Sequence, residues 1–386
     1  MATQVVVLGS GYAGAGAIKS LEDELQGQAD ITWISDIDHH LVLHEVHRCI
    51  ADPSVQEKIT IPIEEIKSPS TRFVEGRVED VAVDTRAVEL ADGRSIEYDY
   101  LLVGIGSETA FFGLDGLEKH AHTLKSLEDA LGIHDAIRDA AREANRGDPA
   151  RVVIGGAGLS GIQAAGEVAR FRDDVDAPLE VLLVEGLDTI LPNSDSELQT
   201  ALRERLAERD VQIRTGEFIC EADGETITVG DEAIAYDVLI WTGGITGQRE
   251  MANVDLEKDH DSNRVRVETT FQTNDERVFA IGDAAIIEQP SGEPVPPNAQ
   301  AAWEAAEVAG ENVARSIRGQ PLRTWTYKDK GTAVSIGEDA VAHDVLNVPI
   351  RTFGGLPARL LKKAIAARWI ADITSPGRAL GAWSDM

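Results

Sequence analysis

Two glycine clusters with the same spacing occur in this chain, each between a run of apolar residues and an Ala-rich helical pattern. They are Gly9, Gly11 and Gly14 in VVVLGSGYAG and Gly156, Gly158 and Gly161 in VVIGGAGLSG. In a G-x-G-x-x-G turn the first glycine permits a tight turn, the second lets the backbone approach a pyrophosphate, and the third allows close packing of helix and strand. The helix N-terminus then points at the phosphates. One copy is weak support, but two copies predict two dinucleotide-binding sites.

A carboxylate at the end of the strand after each glycine turn is expected to accept hydrogen bonds from the adenosine ribose. In the second unit Glu185 ends the strand LEVLLVEG, and its charge repels a 2′-phosphate, which favours NADH over NADPH. In the first unit Ser35 stands at this position and Asp36 follows it, and either residue could serve. Two nucleotide sites on one chain suggest a flavin in one site and a nicotinamide in the other.

Three later stretches must position these sites. The β-runs over 98–107 and 236–246 both end in glycine, and each is suited to carry the chain from one domain to the other. The apolar run in RVFAIGDAA delivers Asp283 at its end, where a carboxylate could accept a hydrogen bond from the ribityl chain of FAD. A simple turn at Asp283 is the alternative.

Taken in this order, the motifs resemble those of the pyridine nucleotide–disulfide oxidoreductase family, the flavoproteins with two dinucleotide-binding domains, over about residues 4–320. The segments YDYLLVGIGSETAFFGLDGLEKHAHTLKSLEDAL and VEGLDTILPNSDSELQTALRERLAERDVQIRTG are most similar to its type II NADH dehydrogenase branch. The resemblance implies an α/β fold with two Rossmann-like domains. An FAD-binding domain over 1–117 and 237–319 would contain an inserted NAD(H)-binding domain over 118–236, and a small region over 320–386 would follow.

The same resemblance implies the activity and the residues that support it. A hydride would pass from NADH to FAD, and the electrons would then pass to a quinone without proton pumping. The implied cofactor-binding residues are Gly9, Gly11, Tyr12, Ala13, Gly14, Ser35, Asp36, Val78, Gly106, Asp283, Ala299, Gly156, Gly158, Gly161, Glu185 and Gly243. The implied catalytic residues are Gln300 and Glu304, on a helix beside the quinone site, and Gln163 and Glu167, on the NAD-domain helix.

Two of these catalytic positions depart from the family pattern. Glu304 stands where the family has a second glutamine, and Gln163 stands where the family usually has a glutamate. The missing carboxylate at Gln163 would alter the arrangement for hydride transfer.

The segment DIDHHLVLHEVHRCIAD is rich in histidine. On a helix, His40, His44 and His47 would share one face, which is a spacing that metal ligands use; flavin contact or plain packing is the favoured alternative. Cys49 lies in the same segment, where it could act in redox chemistry or simply fill an apolar space. No metal site is expected.

Composition excludes several classes of protein. The chain has 67 acidic and 36 basic residues, a formal charge of -31, and this surface repels nucleic acid. Acid-rich, lysine-poor composition suits concentrated salt, where screening removes self-repulsion.

The only cysteines, Cys49 and Cys220, form no C-x-x-C pair, which excludes a disulfide framework. We find no signal peptide and no apolar run of about 18 residues, so we expect a cytoplasmic protein, either free or peripheral on the inner face of the cell membrane.

The C-terminal region reverses the charge pattern. The stretch GGLPARLLKKAIAARWIADI predicts a basic amphipathic helix, with Arg359, Lys362 and Lys363 on one face and Leu360, Leu361, Ala364 and Ile365 on the other. Such a helix over 356–373 indicates a membrane-surface anchor, and the resembling family also uses its C-terminal helices in this way. The alternative is packing on the protein's own body or on a second subunit, as in a homodimer.

Two other functions remain open at the sequence level. The chain could be a soluble NAD(P)H-dependent flavin reductase or diaphorase, or a peroxide or disulfide reductase that uses the single Cys49. It could also be a catalytically degenerate flavin-binding redox sensor, with Gln163 and Ser35 marking lost catalysis.

Overall fold

A computed structural model describes residues 2–383 of the protein, so Met1 and the last three residues of the region expected over 320–386 lie outside the described residues. The strands are β1 (Thr3–Leu8), β2 (Ala29–Ser35), β3 (His39–Leu41), β4 (Thr60–Pro62), β5 (Arg72–Glu75), β6 (Val78–Ala82), β7 (Ala87–Leu90), β8 (Ser95–Glu97), β9 (Tyr100–Val103), β10 (Ser107–Thr109), β11 (Ala150–Gly155), β12 (Leu179–Glu185), β13 (Val211–Thr215), β14 (Ile219–Ala222), β15 (Thr226–Val229), β16 (Glu232–Ala235), β17 (Val238–Trp241), β18 (Ile245–Gly247), β19 (Val265–Val267), β20 (Val278–Ala280), β21 (Ala285–Ile287), β22 (Thr332–Ile336), β23 (Asp339–His343) and β24 (Thr352–Gly354). The helices are α1 (Tyr12–Leu25), α2 (Gln56–Ile59), α3 (Ile63–Ile66), α4 (Leu117–His120), α5 (Leu127–Glu143), α6 (Leu159–Val175), α7 (Ser196–Ala207), α8 (Ala299–Ile317), α9 (Leu356–Ile373) and α10 (Pro376–Trp383).

The first large sheet is parallel throughout, with the strand order β20-β9-β1-β2-β5. The run VVVL of β1 is almost completely buried, as expected for a central strand of a parallel sheet that is covered on both faces. Helix α1 packs along α8 on this unit. Because β20 comes from residues 278–280, two separate segments of the chain build the sheet.

The second large sheet lies between those two segments in the chain. Its order is β13-β12-β11-β17, and its three strand pairs are parallel. Strands β10 and β18 pair antiparallel, Ser107 with Gly247, at the two places where the chain passes between the sheets. Helix α5 opens with a capping box, in which Ser126 and Asp129 each accept a backbone N–H of the other. The fold is therefore α/β with two Rossmann-like units, as predicted.

The C-terminal region forms the antiparallel sheet β22-β23-β24, and α9 packs across it. The amphipathic helix predicted here is helical over the expected residues, but the predicted faces are wrong. Lys362 points inward with Ala358, Ala366 and Ile370, while Leu360 and Ile365 are exposed. The four inward residues recur every fourth position, so they share one helix face. Among residues 2–383 no helix is both long and apolar enough to span a membrane.

Candidate functional site

A continuous cavity of about 1950 Å³ runs between the two Rossmann-like units and the C-terminal region. The first residues of α1, α6 and α8 line it, together with side chains of α9. Both large parallel sheets place their glycine turns at the carboxyl ends of strands, which is where open α/β sheets bind ligands.

The two glycine turns have the same geometry. Gly9 and Gly156 have φ of +93° and +91°, and a Cβ on Gly14 or Gly161 would lie 1.8 Å from the carbonyl oxygen of that first glycine. A Cβ on the middle glycine, Gly11 or Gly158, would meet no protein atom within 4 Å. These middle glycines are also the N-caps of α1 and α6, and neither cap donates or accepts through a side chain. The free helix N-termini suit a bound phosphate.

Ser35, the last residue of β2, and Asp36, which follows it, differ in exposure. Ser35 is buried, and its hydroxyl donates to Ser10 Oγ at 2.9 Å. Asp36 is exposed, and both residues line the cavity. Ser35 Oγ also accepts the backbone N–H of Ile37 at 3.4 Å, so the exposed carboxylate of Asp36 is the more available acceptor at this turn. Tyr12, Ala13, Val78 and Gly106 line the same part of the cavity.

In the second unit, Glu185 is the last residue of β12. Its carboxylate accepts the backbone N–H of Ala157 at 2.7 Å and that of Leu187 at 3.0 Å. Each oxygen keeps a further lone pair for a ribose hydroxyl. None of the predicted residues of this unit, namely Gly156, Gly158, Gly161, Glu185 and Gly243, lines the cavity itself. The Cα of Gly243 lies 2.7 Å from the Cβ that a residue at Gly156 would carry. The close approach of Gly243 to Gly156 indicates that Gly243 packs against the second glycine turn and supports its backbone.

A polar cluster that sequence reasoning missed surrounds Asp283. Lys125 Nζ lies 3.6 Å from Asp283 Oδ2 and donates to Ser107 Oγ at 2.8 Å, and Ser107 donates to Asp283 at 3.2 Å. Buried Arg264 donates to the Asp283 carbonyl at 2.8 Å and so fixes the backbone of this residue. Lys125 lies just before the Ser126 cap of α5, and no spacing in the sequence links it to Asp283.

The N-terminus of α8 supplies another cavity wall. Asn298 caps the helix, and Ala299, Gln300 and Glu304 line the cavity. Gln300 donates to the Lys328 carbonyl at 2.8 Å and to Glu304 at 3.2 Å, and Lys330 lies 2.5 Å from Glu304 Oε1. Glu304 is therefore an ion-paired carboxylate.

The three histidines do not share a helix face, which corrects the sequence analysis. His40 lies on β3, whereas His44 and His47 lie on a 3-10 helix over Leu43–Ile50. Burial lowers the pKa of His40 and of His44 to about 4 and that of His47 well below its usual value, so all three are neutral at pH 7. In residues 2–383 the only group of three potential metal ligands that converge is Asp195, Glu197 and His343, which includes none of them.

Each of these histidines has its own partners. His40 donates through Nδ1 to the Ser10 carbonyl at 2.7 Å and accepts from Trp369 Nε1 at 2.8 Å. The Tyr12 hydroxyl contacts His44 Nδ1. His40 and His44 thus tie the first turn of α1 to its surroundings, which is the packing alternative of the sequence analysis.

A buried polar junction forms where α6, α9, β22 and the 3-10 helix meet. Its centre is Lys362, which donates to Ser335 Oγ at 2.6 Å and to Gln163 Oε1 at 3.2 Å, and which lies 3.4 Å from Glu45 Oε1. Burial lowers the pKa of Lys362, while Glu45 opposes that shift. The sequence pattern predicted Lys362 on an outer polar face and gave no sign of Glu45.

Two residues to which the sequence analysis gave chemistry lie away from the cavity wall. Glu167 is fully buried, does not line the cavity, and pairs with Arg170 at 3.4 Å. Burial raises its pKa to about 7. Cys49 is also fully buried, and burial raises the pKa of its thiol to about 12, so the reactive thiolate is scarce. The structure thus gives the single-cysteine reductase hypothesis no support.

Comparisons with known proteins agree with this geometry. The family model described as pyridine nucleotide-disulphide oxidoreductase matches residues 3–306. This chain belongs to that family. A type II NADH:quinone oxidoreductase of Staphylococcus haemolyticus is 29% identical over 97% of both chains, and the one of Staphylococcus aureus strain MSSA476 is 26% identical over the same shares.

Solved structures extend the comparison to the fold. NDH2 from Plasmodium falciparum, solved in complex with NADH, has a TM-score of 0.84 at 15% identity and covers 100% of this chain and 98% of its own. The sulfide:quinone oxidoreductase from Aquifex aeolicus has a TM-score of 0.80 at 19% identity, over 98% of this chain and 92% of its own.

The cavity of this family member fits the two cofactors of a pyridine nucleotide flavoprotein, FAD and NAD(H). Both glycine turns leave open space at the middle glycine, and both helices present uncapped N-terminal N–H groups there. One cavity reaches from the first turn through Gly106 and Asp283 to Gln163 on α6. Leu159 and Ser160, which lie between the last two glycines of the second turn, also line this cavity, so dinucleotides bound at the two turns can meet inside it.

Proposed function

We propose that this protein is an FAD-dependent NADH:quinone oxidoreductase that does not pump protons. The observation that carries the proposal is the single cavity, which runs from the first glycine turn to Leu159 and Ser160 of the second turn, to the N-terminus of α8 and to α9. The identities of 29% and 26% with type II NADH:quinone oxidoreductases, over nearly the full length of both chains, support the choice of substrates.

The cofactors supply the redox chemistry, since FAD can accept a hydride from NADH and pass electrons to a quinone. The chain binds and orients them. We infer that Gly9, Gly11 and Gly14 hold the FAD pyrophosphate, that Asp36 accepts from its ribose, and that the cluster of Lys125 and Asp283 holds its ribityl chain. The N–H groups of α8 stabilise negative charge at the cavity wall through the helix dipole.

On the NADH side, Gly156, Gly158 and Gly161 hold the pyrophosphate and Glu185 accepts from the ribose. The two N–H bonds to the Glu185 carboxylate fix its position, and a carboxylate at this place repels a 2′-phosphate. NADH is therefore the preferred nucleotide. Gln300 and Glu304 form the wall that faces the electron acceptor.

The visible spectrum of the purified protein tests this function directly. Anaerobic mixing with NADH should bleach the flavin absorbance quickly, NADPH should act more slowly, and a short-chain quinone should restore the absorbance. Flavin that NADH bleaches but quinone does not reoxidise would contradict the choice of acceptor. Flavin that neither nucleotide reduces would contradict the enzyme and favour a binding module.

We also propose that the protein is cytoplasmic and binds peripherally to the inner face of the cell membrane through α9 and α10. The outward side of this region carries exposed apolar side chains, namely Leu356, Leu360, Ile365, Leu380 and Trp383. Arg359 and Arg368 are also exposed on α9, where Arg368 lies 3.8 Å from Asp372. A surface that mixes apolar and basic side chains suits an anionic lipid headgroup layer.

Flotation with vesicles tests this surface. The holoprotein should float with phosphatidylglycerol vesicles and much less with phosphatidylcholine vesicles, and the double variant Leu360→Asp/Ile365→Asp should not float. Val175→Asp, at an exposed position on α6, is the matched control and should float as the wild type does. Equal flotation of both variants would contradict the proposal. A dimer in sedimentation that Leu360→Asp/Ile365→Asp dissociates would instead assign the surface to a second copy.

The acidic surface completes the proposal. We infer that the formal charge of -31 adapts the protein to concentrated salt, where counter-ions screen the repulsion between carboxylates. The thermal midpoint should therefore rise steadily from dilute buffer to molar KCl. A midpoint that does not depend on salt would contradict the adaptation.

A further inference from the structure

The amide of Gln163 has a fixed orientation, because its neighbours leave only one choice. Lys362 Nζ lies 3.2 Å from Gln163 Oε1, and an ammonium group can only donate. The carbonyl end of the amide must therefore face Lys362. The NH₂ end then faces His47 Nδ1, at 3.1 Å.

This orientation also fixes the tautomer of His47. Since Gln163 donates to Nδ1, the imidazole proton is on Nε2, which donates to Ser335 Oγ at 2.7 Å. Ser335 Oγ also accepts from Lys362 at 2.6 Å. Lys362 Nζ also lies 3.4 Å from His47 Nε2, where both groups are donors and no hydrogen bond forms; the other donors of this ring of four side chains face acceptors. Three of the four, Gln163, His47 and Lys362, line the cavity.

A carboxylate in place of the amide would break this match. Glu at position 163 could still accept from Lys362, but its second oxygen would face the lone pair of His47 Nδ1. Only a proton between the two groups removes that repulsion. The proton would have to be held next to Lys362, Arg48 and His44, the cations and the imidazole that already lower the pKa of His47. The carboxylates of the junction, Glu45 and Glu167, act on Lys362 instead.

We propose that Gln163 is a positioning residue whose amide keeps His47 neutral and holds Lys362 at the cavity wall, so that a carboxylate cannot replace it unless position 47 supplies a donor. The presence of glutamine at position 163, where the family usually has a glutamate, is then explained by the neighbouring His47. It does not indicate that catalysis has been lost. The inference concerns the cavity of the proposed quinone reductase, and its link to turnover rests on that function.

Thermal unfolding of the holoprotein as a function of pH tests the proposal without using activity. In Gln163→Glu we expect the repulsion between the carboxylate and the Nδ1 lone pair to outweigh the neighbouring cations, so that the folded state binds the bridging proton more tightly than the unfolded chain does. The associated stability is present at low pH and is lost as pH rises through the pKa of this proton. The midpoint of Gln163→Glu should therefore fall further below that of the wild type at pH 9 than at pH 6. Gln163→Met loses the same hydrogen bonds but binds no extra proton. The difference between its thermal midpoint and that of the wild type should therefore not depend on pH.

The double variant Gln163→Glu/His47→Asn provides the rescue. An asparagine at position 47 can donate its NH₂ to the carboxylate, so the pH-dependent deficit should disappear. Turnover with NADH and quinone at pH 7.5 should fall about tenfold in Gln163→Glu and recover in the double variant, since small displacements of positioned groups have effects of this size.

Three outcomes would overturn the proposal. A pH-independent deficit in Gln163→Glu, turnover of that variant at or above the wild-type rate, or a double variant as pH-dependent as the single one would each do so. If Gln163→Glu does not fold, the double variant must still fold with nearly the wild-type midpoint. Inactivity of the wild type with quinone would refute the proposed function while leaving the unfolding test of Gln163 intact.

Discussion

At the scale of single residues, identical residue types have different tasks in the two glycine turns. A side chain at Gly14 would collide with the Gly9 carbonyl, whereas a side chain at Gly11 would point into open space. Gly14 is thus required by the fold itself. Gly11 is required only by a ligand that approaches the backbone.

The variants Gly14→Ala and Gly11→Ala should separate these tasks. Gly14→Ala must push the turn apart, and we expect a loss of about 3 kcal/mol or more in the free energy of unfolding, in the range of severe overpacking. Gly11→Ala should change that free energy by less than about 1 kcal/mol, since only helix-cap effects remain. Its affinity for FAD should nevertheless fall at least about tenfold, because the methyl group occupies the space of the pyrophosphate. Chemical denaturation and flavin titration measure the two effects, and equal stability of both variants would contradict this division.

At the scale of elements, α9 is the part that joins the C-terminal region to the first glycine turn. Its Trp369 is buried, stacks near Tyr12 with ring centroids 4.7 Å apart, and lies 4.9 Å from Trp303. It also donates to His40. The position of the C-terminal helix and the entry into α1 therefore depend on one indole.

Replacement of Trp369 should detach α9. Trp369→Ala removes a fully buried side chain and leaves His40 Nε2 without its donor, so we expect a loss of about 3–5 kcal/mol. Trp369→Phe keeps most of the packing and loses mainly the N–H bond, at about 1–2 kcal/mol. Leu380→Ala, at an exposed position on α10, is the control and should change stability by less than about 0.5 kcal/mol. Urea denaturation measures all three, and a mild effect of Trp369→Ala would show that α9 docks by other contacts.

At the scale of the whole molecule, buried titratable groups make the stability depend on pH. His40, His44 and His47 are neutral in the folded protein, with pKa values below the 6.5 of the unfolded chain. As pH falls below 6.5, each of these three histidines therefore binds a proton in the unfolded state but stays neutral in the folded state. Glu167 acts in the opposite sense, because its pKa is raised to about 7 and the folded state binds its proton first.

Burial also lowers the pKa of His122, so the balance predicts a net uptake of at least about two protons on unfolding between about pH 6 and pH 5. The free energy of unfolding should fall by roughly 1.4 kcal/mol per pH unit for each of them. Denaturation at a series of pH values measures the slope. His260→Gln is the control, since this side chain is fully exposed and its replacement should leave the slope unchanged. A stability that is flat over this range would contradict the burial of neutral histidines.

The sequence by itself determined the parts of this protein that depend on local rules. Glycine spacing after an apolar run predicts a strand, a tight turn and a helix, because only glycine tolerates the φ of Gly9 and the close contact at Gly14. The position of Glu185 follows from the same unit. The α/β class, the two Rossmann-like units and the family could all be read in this way.

Only the tertiary structure decided which side chains meet. Lys125 and Asp283, or Gln163, His47 and Lys362, are far apart in the chain and come together through sheet order and domain packing. The sequence pattern placed Lys362 outside, because a lysine in water is the usual outcome and the pattern contains no sign of Glu45, Gln163 and Ser335. Those partners make the burial of an ammonium group tolerable, and they exist only in the folded chain.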